Sequence, residues 1–227
     1  MSTSHALVQL LELVVTAAAM LVVVRQCRKP AWLPGRLMIE GMNRAHRGMT
    51  AWGMNGIAIA KDFTILEVGC GGGKTLNTLA SRAFEGKVHG LDYSRASVAA
   101  AEKTNAQRIK DGRVEIHLGS VSKLPFAANT FDLVLAIETH YYWPDLSADV
   151  LEIQRVLKPG GSFVIVAEAY RGRRMDWLYR PAMTLLRATY LTLGEHRKLL
   201  VDAGYTDVEV IDEPSKGWMR ATGRKPT

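Results

Sequence analysis

The stretch ILEVGCGGGKT, residues Ile65–Thr75, ends an apolar run in a carboxylate and then breaks into glycines. A short apolar run before a glycine-rich turn is typical of a buried strand that leads into a helix. Such a loop can hold a phosphate, a dinucleotide or another ligand, and the spacing of its glycines separates these alternatives.

Two well-known glycine-loop patterns do not fit this stretch. A phosphate-binding P-loop needs a glycine five positions before Gly-Lys-Ser/Thr, and that position before Gly73–Thr75 is Val68. The dinucleotide pattern G-x-G-x-x-G/A fails because its sixth position is Lys74 or Leu76, depending on the starting glycine. The loop instead carries an acid and three glycines at every second position, namely Glu67, Gly69, Gly71 and Gly73.

The whole chain has the size and composition of one α/β domain with extensions. It contains 227 residues, of which 48% are hydrophobic, and this excludes a disordered chain. Only two cysteines occur, and no Cys/His spacing predicts a metal site. The formal net charge of +7 is compatible with an acidic partner, with an anionic membrane surface or with a role in solubility alone.

The N-terminal part is a hydrophobic segment. Residues Ala6–Val24 are apolar except for a few polar positions and one charge, Glu12, and this length approaches the roughly 20 residues of a membrane-spanning helix. The basic residues of 25–29 would keep the remainder in the cytoplasm. Residues 1–29 are therefore expected to form a helix with one of two roles. It contacts a membrane through residues 6–29, or it packs on the protein's own core or on a second copy in a homodimer.

Residues 30–62 are expected to form a basic linker followed by pocket-covering helices. Prolines at positions 30 and 34 interrupt any helix that continues from the first segment. The stretch Met42–Gly53 contains His46, Trp52 and two methionines, which fit either a pocket roof or core packing.

From Phe63 to the C-terminus, strand and helix patterns alternate. The predicted strands begin at Thr64, Lys87, Arg113, Phe131 and Gly161, and the predicted helices are Thr75–Phe84, Ala96–Lys110 and Ala148–Lys158, the last stopped by Pro159 and Gly160. This alternation predicts a Rossmann-like, doubly wound α/β fold with a mostly parallel sheet. Ligands of such sheets bind beyond the carboxyl ends of the strands.

Four stretches in this order resemble class I S-adenosylmethionine-dependent methyltransferases, in particular the small-molecule branch called type 11 or ubiquinone-biosynthesis-like. They are the acid-and-glycine loop, LDYS, GSVSKLPFAANTFDLVLA, and RVLKPGGSFVIVAE. The stretches LLVDAGYTDVEV and GWMRATGRKP resemble the closing hairpin of that family. The resemblance covers residues 63–227 and implies a seven-stranded sheet whose last strand is antiparallel.

The resemblance also implies S-adenosyl-L-methionine as cofactor and a set of residues that bind it. Asp92 corresponds to the family's acid that binds both ribose hydroxyls, and Glu67 stands where it can receive the cofactor's amino group. Ser120 departs from the acid that the family commonly has at that position, so the adenine contact is weaker. The expected cofactor-binding residues are Glu67, Gly69, Cys70, Gly71, Gly73, Asp92, Tyr93, Ser120, Val121, Ser122 and Glu138.

The catalytic candidates follow the fourth strand, in the stretch ETHYYWPD. Glu138, His140, Tyr141 and Tyr142 are expected near the cofactor's methyl group. His140 is a candidate base, and packing is its alternative; the tyrosines are candidate pocket walls. Met175, Trp177, Tyr179 and Met183, in the insertion Tyr170–Leu193, are expected to line the pocket or to join the core.

The expected acceptor is a small organic molecule, lipophilic if the N-terminal segment meets a membrane. No nucleic-acid partner is expected, because the sequence lacks the Asn/Asp-Pro-Pro-Tyr signature of base-amine methyltransferases and lacks basic–aromatic interleaving. Two alternatives stay open: a nucleic-acid or protein methyltransferase, and a catalytically silent module that binds the cofactor.

Overall fold

The computed structural model describes residue 41 and residues 44–227. The predicted N-terminal helix within residues 1–29 and the linker residues 30–40, 42 and 43 lie outside this part. Within the described residues, no helix combines the length and apolar character that crossing a bilayer requires.

In the described part of the chain, seven strands form one sheet. They are β1 (Thr64–Val68), β2 (Lys87–Asp92), β3 (Val114–Leu118), β4 (Phe131–Ile137), β5 (Leu157–Ala167), β6 (Thr206–Glu213) and β7 (Trp218–Arg224). Their order in the sheet is β3-β2-β1-β4-β5-β7-β6, and β7 runs antiparallel to both of its neighbours while β1 to β5 pair in parallel. The predicted Rossmann-like sheet with an antiparallel last strand is confirmed.

Seven α-helices connect or cover the strands in the described part of the chain. They are α1 (Arg47–Gly53), α2 (Lys74–Arg82), α3 (Arg95–Thr104), α4 (Ala106–Lys110), α5 (Leu146–Val156), α6 (Asp176–Leu185) and α7 (Leu193–Asp202). Short 3₁₀ turns at Val121–Lys123 and His140–Tyr142 follow β3 and β4. Both turns therefore lie at the carboxyl edge of the sheet, where a ligand is expected.

The sheet is buried on both faces, as its near-continuous apolar strands predict. Successive residues of β4 alternate between two hydrophobic cores: Val134 and Ala136 belong to one, Leu133 and Leu135 to the other. The second core is completed by α2 and by Met49 of α1. This two-sided burial fixes the strand ends, and with them the loops that carry polar side chains.

The single helix predicted for Ala96–Lys110 is broken at Asn105. The Asn105 side chain is buried and donates to the carbonyls of Gly73, at 2.8 Å, and Ala101, at 3.0 Å. Because the amide side chain links the last turn of α3 to the glycine loop, α3 ends at Thr104 and a separate short helix, α4, follows.

The helix predicted for Ala148–Lys158 is shifted toward the N-terminus. It begins earlier because Asp145 caps it, accepting a hydrogen bond from the N–H of Ala148. Its predicted last residues belong instead to β5, whose pairing with β4 shifts register between Phe131 and Leu133. Pro159 and Gly160, predicted as a helix stop, lie in this irregular start of the strand.

Candidate active site

A cavity of about 970 Å³ opens at the carboxyl ends of β1, β2 and β4. Its wall contains ten of the predicted site residues, Glu67, Gly69, Cys70, Gly71, Asp92, Tyr93, Ser120, Val121, Glu138 and Tyr142. Four predicted residues are not on its wall: Gly73, Ser122, His140 and Tyr141. The structure thus gathers most of the predicted set around one space, and the remaining four have other positions.

The glycine loop between β1 and α2 gives two of its glycines different tasks. Gly71 has a φ of +52°, and a Cβ built there would meet nothing within 4 Å, so the backbone faces the open cavity. Gly73 has a φ of +72°, and a Cβ there would lie 2.6 Å from the Asn105 amide and 2.9 Å from Ala101. Gly73 therefore permits close packing of α2 on α3 and lies behind the cavity wall.

Asp92, at the end of β2, is held by backbone donors on both oxygens. Oδ2 accepts from the N–H of Gly71 at 3.0 Å, and Oδ1 accepts from the N–H of Ser94 at 2.8 Å. Ser94 in turn caps α3, as predicted, by accepting from the N–H of Ser97. Burial raises the pKa of Asp92 above its ordinary value, and the N–H donors of Ser94 and Gly71 oppose that shift. The carboxylate is fixed beside the cavity and ties the glycine loop to β2.

Glu67, on β1, is a buried carboxyl group with an incomplete set of partners. Its side chain bonds to Thr75, but Oε2 has no hydrogen-bond partner among the described residues. Burial raises the pKa of Glu67 to about 8, and the bond to Thr75 opposes the shift. An unsatisfied buried acceptor on a cavity wall is costly unless a ligand supplies a donor. Glu67 therefore fits a cationic amino group.

The loop after β3 presents Ser120 and Val121 to the cavity. The Ser120 hydroxyl accepts from the N–H of Ser122 at 3.3 Å, which caps the 3₁₀ turn. Ser122 itself lies off the wall and bonds to Asp149 on α5. The predicted contribution of Ser122 to the cavity is thus not seen, because the turn directs its side chain toward the helix.

Glu138, directly after β4, has a strained backbone and a carboxyl group in which both oxygens are hydrogen-bonded. Its φ is +57°, a conformation that non-glycine residues adopt at functional sites more often than elsewhere. Oε2 accepts from the Tyr141 hydroxyl at 2.6 Å, and Oε1 accepts from the N–H of Glu168 at 2.5 Å. Burial, and secondly the charge of Glu168, raise the pKa of Glu138 to about 8. Glu138 is therefore mostly protonated at pH 7.

The imidazole of His46 lies close to the Glu138 carboxyl group. Its Nε2 lies 3.8 Å from Oε2 of Glu138 and 3.8 Å from Oε1 of Glu168. Burial lowers the pKa of His46, and the charge of Glu168 opposes the shift, so the ring is neutral at pH 7. Within the predicted pocket roof, His46 reaches the cavity, whereas Trp52 packs on Trp218.

Sequence reasoning did not select Glu168, although a signal was present. Glu168 directly follows β5, just as Glu138 directly follows β4, so both residues stand at the same edge of the sheet. The positional rule that selected Glu138 therefore applied to Glu168 as well.

The structure places His140 and Tyr141 behind the cavity wall. His140 is buried, and its Nε2 lies 2.9 Å from Nε2 of His196 on α7. Burial lowers the pKa of His140 well below its ordinary value. The Tyr141 hydroxyl donates a hydrogen bond to Glu138, and its ring packs edge-on against Tyr142, which does line the cavity. The packing alternative fits the position of His140, and Tyr141 acts by orienting Glu138.

The insertion between β5 and α7 forms α6 and contributes to the core. Met183 is buried in the core, and the partly buried Tyr179 packs against this core, while Met175 and Trp177 are exposed. None of the four is on the described cavity wall.

Comparison with known proteins identifies the family. Residues 66–165 match the family model Methyltransf_11, a methyltransferase domain. The "Uncharacterized methyltransferase YdaC" of Bacillus subtilis is 31% identical over 133 residues, covering 58% of this chain and 71% of the relative. The sterol 24-C-methyltransferase erg-4 of Neurospora crassa is 34% identical over 130 residues, covering 57% of this chain and 33% of the relative.

A solved structure shares the fold. The SAM-dependent methyltransferase from Aquifex aeolicus aligns with a TM-score of 0.67 and 20% identity, covering 83% of this chain and 97% of that one. Across the first three curated relatives, the chain spans from 51% to 71% of their length.

The cavity wall fits the cofactor of this family. Glu67 offers an unpartnered oxygen to an amino group, Asp92 offers a fixed carboxylate to hydroxyl groups, and the glycine loop leaves open space at Gly71. The chain belongs to the class I methyltransferases, enzymes that use S-adenosyl-L-methionine.

Proposed function

We propose that the protein transfers the methyl group of S-adenosyl-L-methionine to a small organic acceptor. The observation that carries this proposal is the size of the cavity, about 970 Å³. Small-molecule sites occupy about 300–1,000 Å³, and this cavity lies at the upper end of that range, which favours small-molecule reactants.

The order of the strands separates the cavity into two sides. Asp92 and Ser120 follow β2 and β3, on one side of β1, whereas Glu138 and Tyr142 follow β4, on the other side. We assign the first side to the nucleoside part of the cofactor, because carboxylate and hydroxyl acceptors there match its hydroxyl and amino donors. The second side is left for the acceptor.

The cofactor supplies an electrophilic methyl group, so the chain's main task is positioning. Holding two reactants in line can contribute about 7–11 kcal/mol to lowering the barrier. Asp92, clamped by two backbone donors, and the glycine loop fix one reactant. Tyr142 and Trp143 form part of the wall that confines the other.

His46 is the base that this geometry favours for an acceptor that must lose a proton. The low pKa of His46 leaves its ring neutral at pH 7, whereas the pKa of Glu138, about 8, leaves that carboxyl protonated. A proton taken up by His46 is then stabilised by the carboxylate of Glu168, 3.8 Å away. This role replaces the one predicted for His140, which lies behind the wall.

The apolar part of the wall favours a lipophilic acceptor. Ala51, Met54, Ile137 and Trp143 line the cavity beside the polar groups. The Neurospora crassa relative, named as a sterol methyltransferase, also supports an acceptor of this kind.

The test is a methyl-transfer screen with labelled cofactor over small phenols, amines, thiols and quinols, with RNA and a protein mixture as further arms. We expect transfer to at least one small class, and loss of both transfer and cofactor binding in Asp92→Ala. Asp111→Ala, which removes an exposed carboxylate at the end of α4, serves as the matched control.

A second variant separates binding from chemistry. We expect His46→Gln to bind cofactor as tightly as the wild type but to transfer methyl groups about 10²–10⁴-fold more slowly, the usual contribution of a positioned base. Transfer to RNA or protein with none to the small molecules would overturn the proposal.

A further inference from the structure

A cluster of three potential metal ligands lies away from the cavity, on the face of the sheet formed by β2 and β3. His89 is on β2, and Glu115 and His117 are on β3, which is an edge strand. His89 packs edge-on against Phe126 and Phe131. The neighbouring Gly90 faces α2 on the opposite side, where a Cβ would meet Leu76.

Parallel pairing brings the three side chains together. His89 lies opposite Glu115 in the register, and His117 is two residues further along β3, so all three project from one face. His89 Nδ1 lies 3.2 Å from His117 Nε2 and 3.5 Å from Glu115 Oε2, and His117 Nε2 lies 3.8 Å from the same oxygen.

These separations, 3.2, 3.5 and 3.8 Å, bracket the edge length of a coordination tetrahedron. Zinc bonds of about 2.0–2.2 Å place neighbouring ligand atoms about 3.3–3.6 Å apart in a tetrahedral site. Octahedral magnesium, with bonds of about 2.0–2.1 Å, would require about 2.8–3.0 Å between neighbouring oxygens, and it does not favour imidazole. We propose that this cluster binds one Zn²⁺ ion through His89 Nδ1, His117 Nε2 and Glu115 Oε2, with water as the fourth ligand.

The ligand types suit a cation. The set combines two imidazoles with one carboxylate, all of which are common zinc ligands. His89 Nδ1 and His117 Nε2 lie 3.2 Å apart, within hydrogen-bond distance, so metal binding requires the tautomers in which neither nitrogen carries a proton.

Second contacts hold the ligands in place. Lys87 bonds to Oε1 of Glu115, which leaves Oε2 directed toward both rings. The edge of Phe126 supports both imidazoles. The Glu115 side chain is 45% exposed and that of His117 is 28% exposed, so water has access to the fourth position. Partners of this kind orient metal ligands and raise the affinity of a site.

Sequence reasoning missed this site because its ligands are not close along the chain. His89 and His117 are 28 residues apart and meet only through the register of β2 and β3. The search for local Cys/His spacing could not detect them. The prediction that the chain has no metal site is what this proposal revises.

The first measurement is metal binding by the full-length chain, purified with a chelator and then titrated with Zn²⁺ or Co²⁺. We expect the wild-type chain to bind one more equivalent than the Glu115→Gln variant, and Co²⁺ at this site to show the intense visible bands of tetrahedral cobalt. Loss of a ligand is expected to weaken Zn²⁺ binding at least 10–100-fold, about the effect seen when supporting partners are removed.

Matched variants separate this site from others in the chain. Glu85→Gln, between α2 and β2, removes an exposed carboxylate that lies outside the cluster and should leave the cobalt spectrum unchanged. Among the described residues, His46, Glu138 and Glu168 form a second group whose side chains could hold a metal ion, and His46→Gln removes one of these potential ligands. That variant too should retain the spectrum.

Thermal unfolding gives a readout that does not depend on the spectrum. Saturating Zn²⁺ is expected to raise the unfolding midpoint by about 5–10 °C in the wild type and not in Glu115→Gln. The Glu115 side chain is 45% exposed, whereas His89 is buried, so the Glu115 variant is expected to fold even if His89→Gln does not. Equal metal binding by wild type and Glu115→Gln, or retention of tetrahedral cobalt in His117→Gln, would overturn the proposal.

Discussion

At the scale of single residues, two of the carboxyl groups on the cavity wall, Glu67 and Asp92, have different surroundings. Both oxygens of Asp92 accept backbone hydrogen bonds, whereas one oxygen of Glu67 accepts none from the described residues. Burial raises the pKa of each, but Asp92 recovers part of the cost through its donors. Glu67 therefore gains more than Asp92 from a ligand that carries a positive charge.

This difference predicts a pH-dependent affinity for the cofactor. Without ligand, the pKa of Glu67 is about 8, so the group is protonated at pH 6–7. A bound ammonium group favours the ionised form, so binding lowers this pKa and releases one proton. The dissociation constant for S-adenosylmethionine is then expected to fall by up to about tenfold per pH unit between pH 6 and 7.5. Calorimetry in buffers of different ionisation enthalpy measures the released proton.

Glu67→Gln is the matched variant, because it keeps the size of the side chain and cannot ionise. We expect weaker binding with a flatter pH dependence. If the wild type and this variant show the same slope, the released proton comes from another group and the pairing of Glu67 with the cofactor's amino group is wrong.

Some of these residues were predictable from sequence and others were not, for a physical reason. Glu67, Asp92 and Glu138 stand at the ends of apolar strands, and parallel strands bring their carboxyl ends to one edge. The direction of side chains after a strand depends on the turn that follows. The positive φ of Glu138 and the 3₁₀ turn after it send His140 into the core, where it meets His196.

At the scale of secondary structure, Asn105 links the helix break to the glycine loop. Its buried amide donates to the carbonyl of Gly73 at the start of α2 and to that of Ala101 in α3. The same contact explains why Gly73 is needed, since a side chain at that position would displace the amide. Sequence patterns detected the helix but not its break, because the contact joins residues that are distant along the chain.

Replacing Asn105 is expected to destabilise the fold locally and globally. Asn105→Ala leaves the Gly73 carbonyl without its donor and should lower the free energy of unfolding by about 1–3 kcal/mol. Asn105→Asp should cost more, because it places a carboxylate against two carbonyl oxygens. Urea unfolding followed by circular dichroism measures both values.

Gln107→Ala is the control for this pair. Gln107 is exposed on α4 and bonds to Asp111 only four residues away, so its loss should change stability by less than about 0.5 kcal/mol. A similar small effect for Asn105→Ala would show that the break in the helix does not depend on the amide.

At the scale of the whole molecule, the sheet separates two regions with different tasks. The cavity lies at the carboxyl ends of the strands, and the three-ligand cluster lies on one face of the sheet beside the edge strand β3. Strand β2 contributes to both, through Asp92 and His89 respectively. The alternation of helices and strands predicted a mostly parallel sheet with its ligand edge at the carboxyl ends of the strands, whereas the antiparallel last strand was implied only by the family resemblance. The pairing of His89 with Glu115 and His117 required the register, which the pattern of apolar residues does not specify between buried parallel strands.

The hydrophobic segment of residues 6–24 gives the last prediction at this scale. Every described residue on the cavity wall lies between Arg44 and Pro144, so deleting residues 1–29 is expected to leave the cofactor's dissociation constant unchanged. If the segment contacts a membrane, the full chain sediments with membranes and the shortened chain does not. Centrifugation of cell lysates measures this partition, and calorimetry measures cofactor binding.

If the full chain stays in the supernatant, the packing alternative holds instead. The shortened chain should then unfold at a lower temperature or no longer form a dimer, because the surface that the apolar stripe covered would be exposed to water.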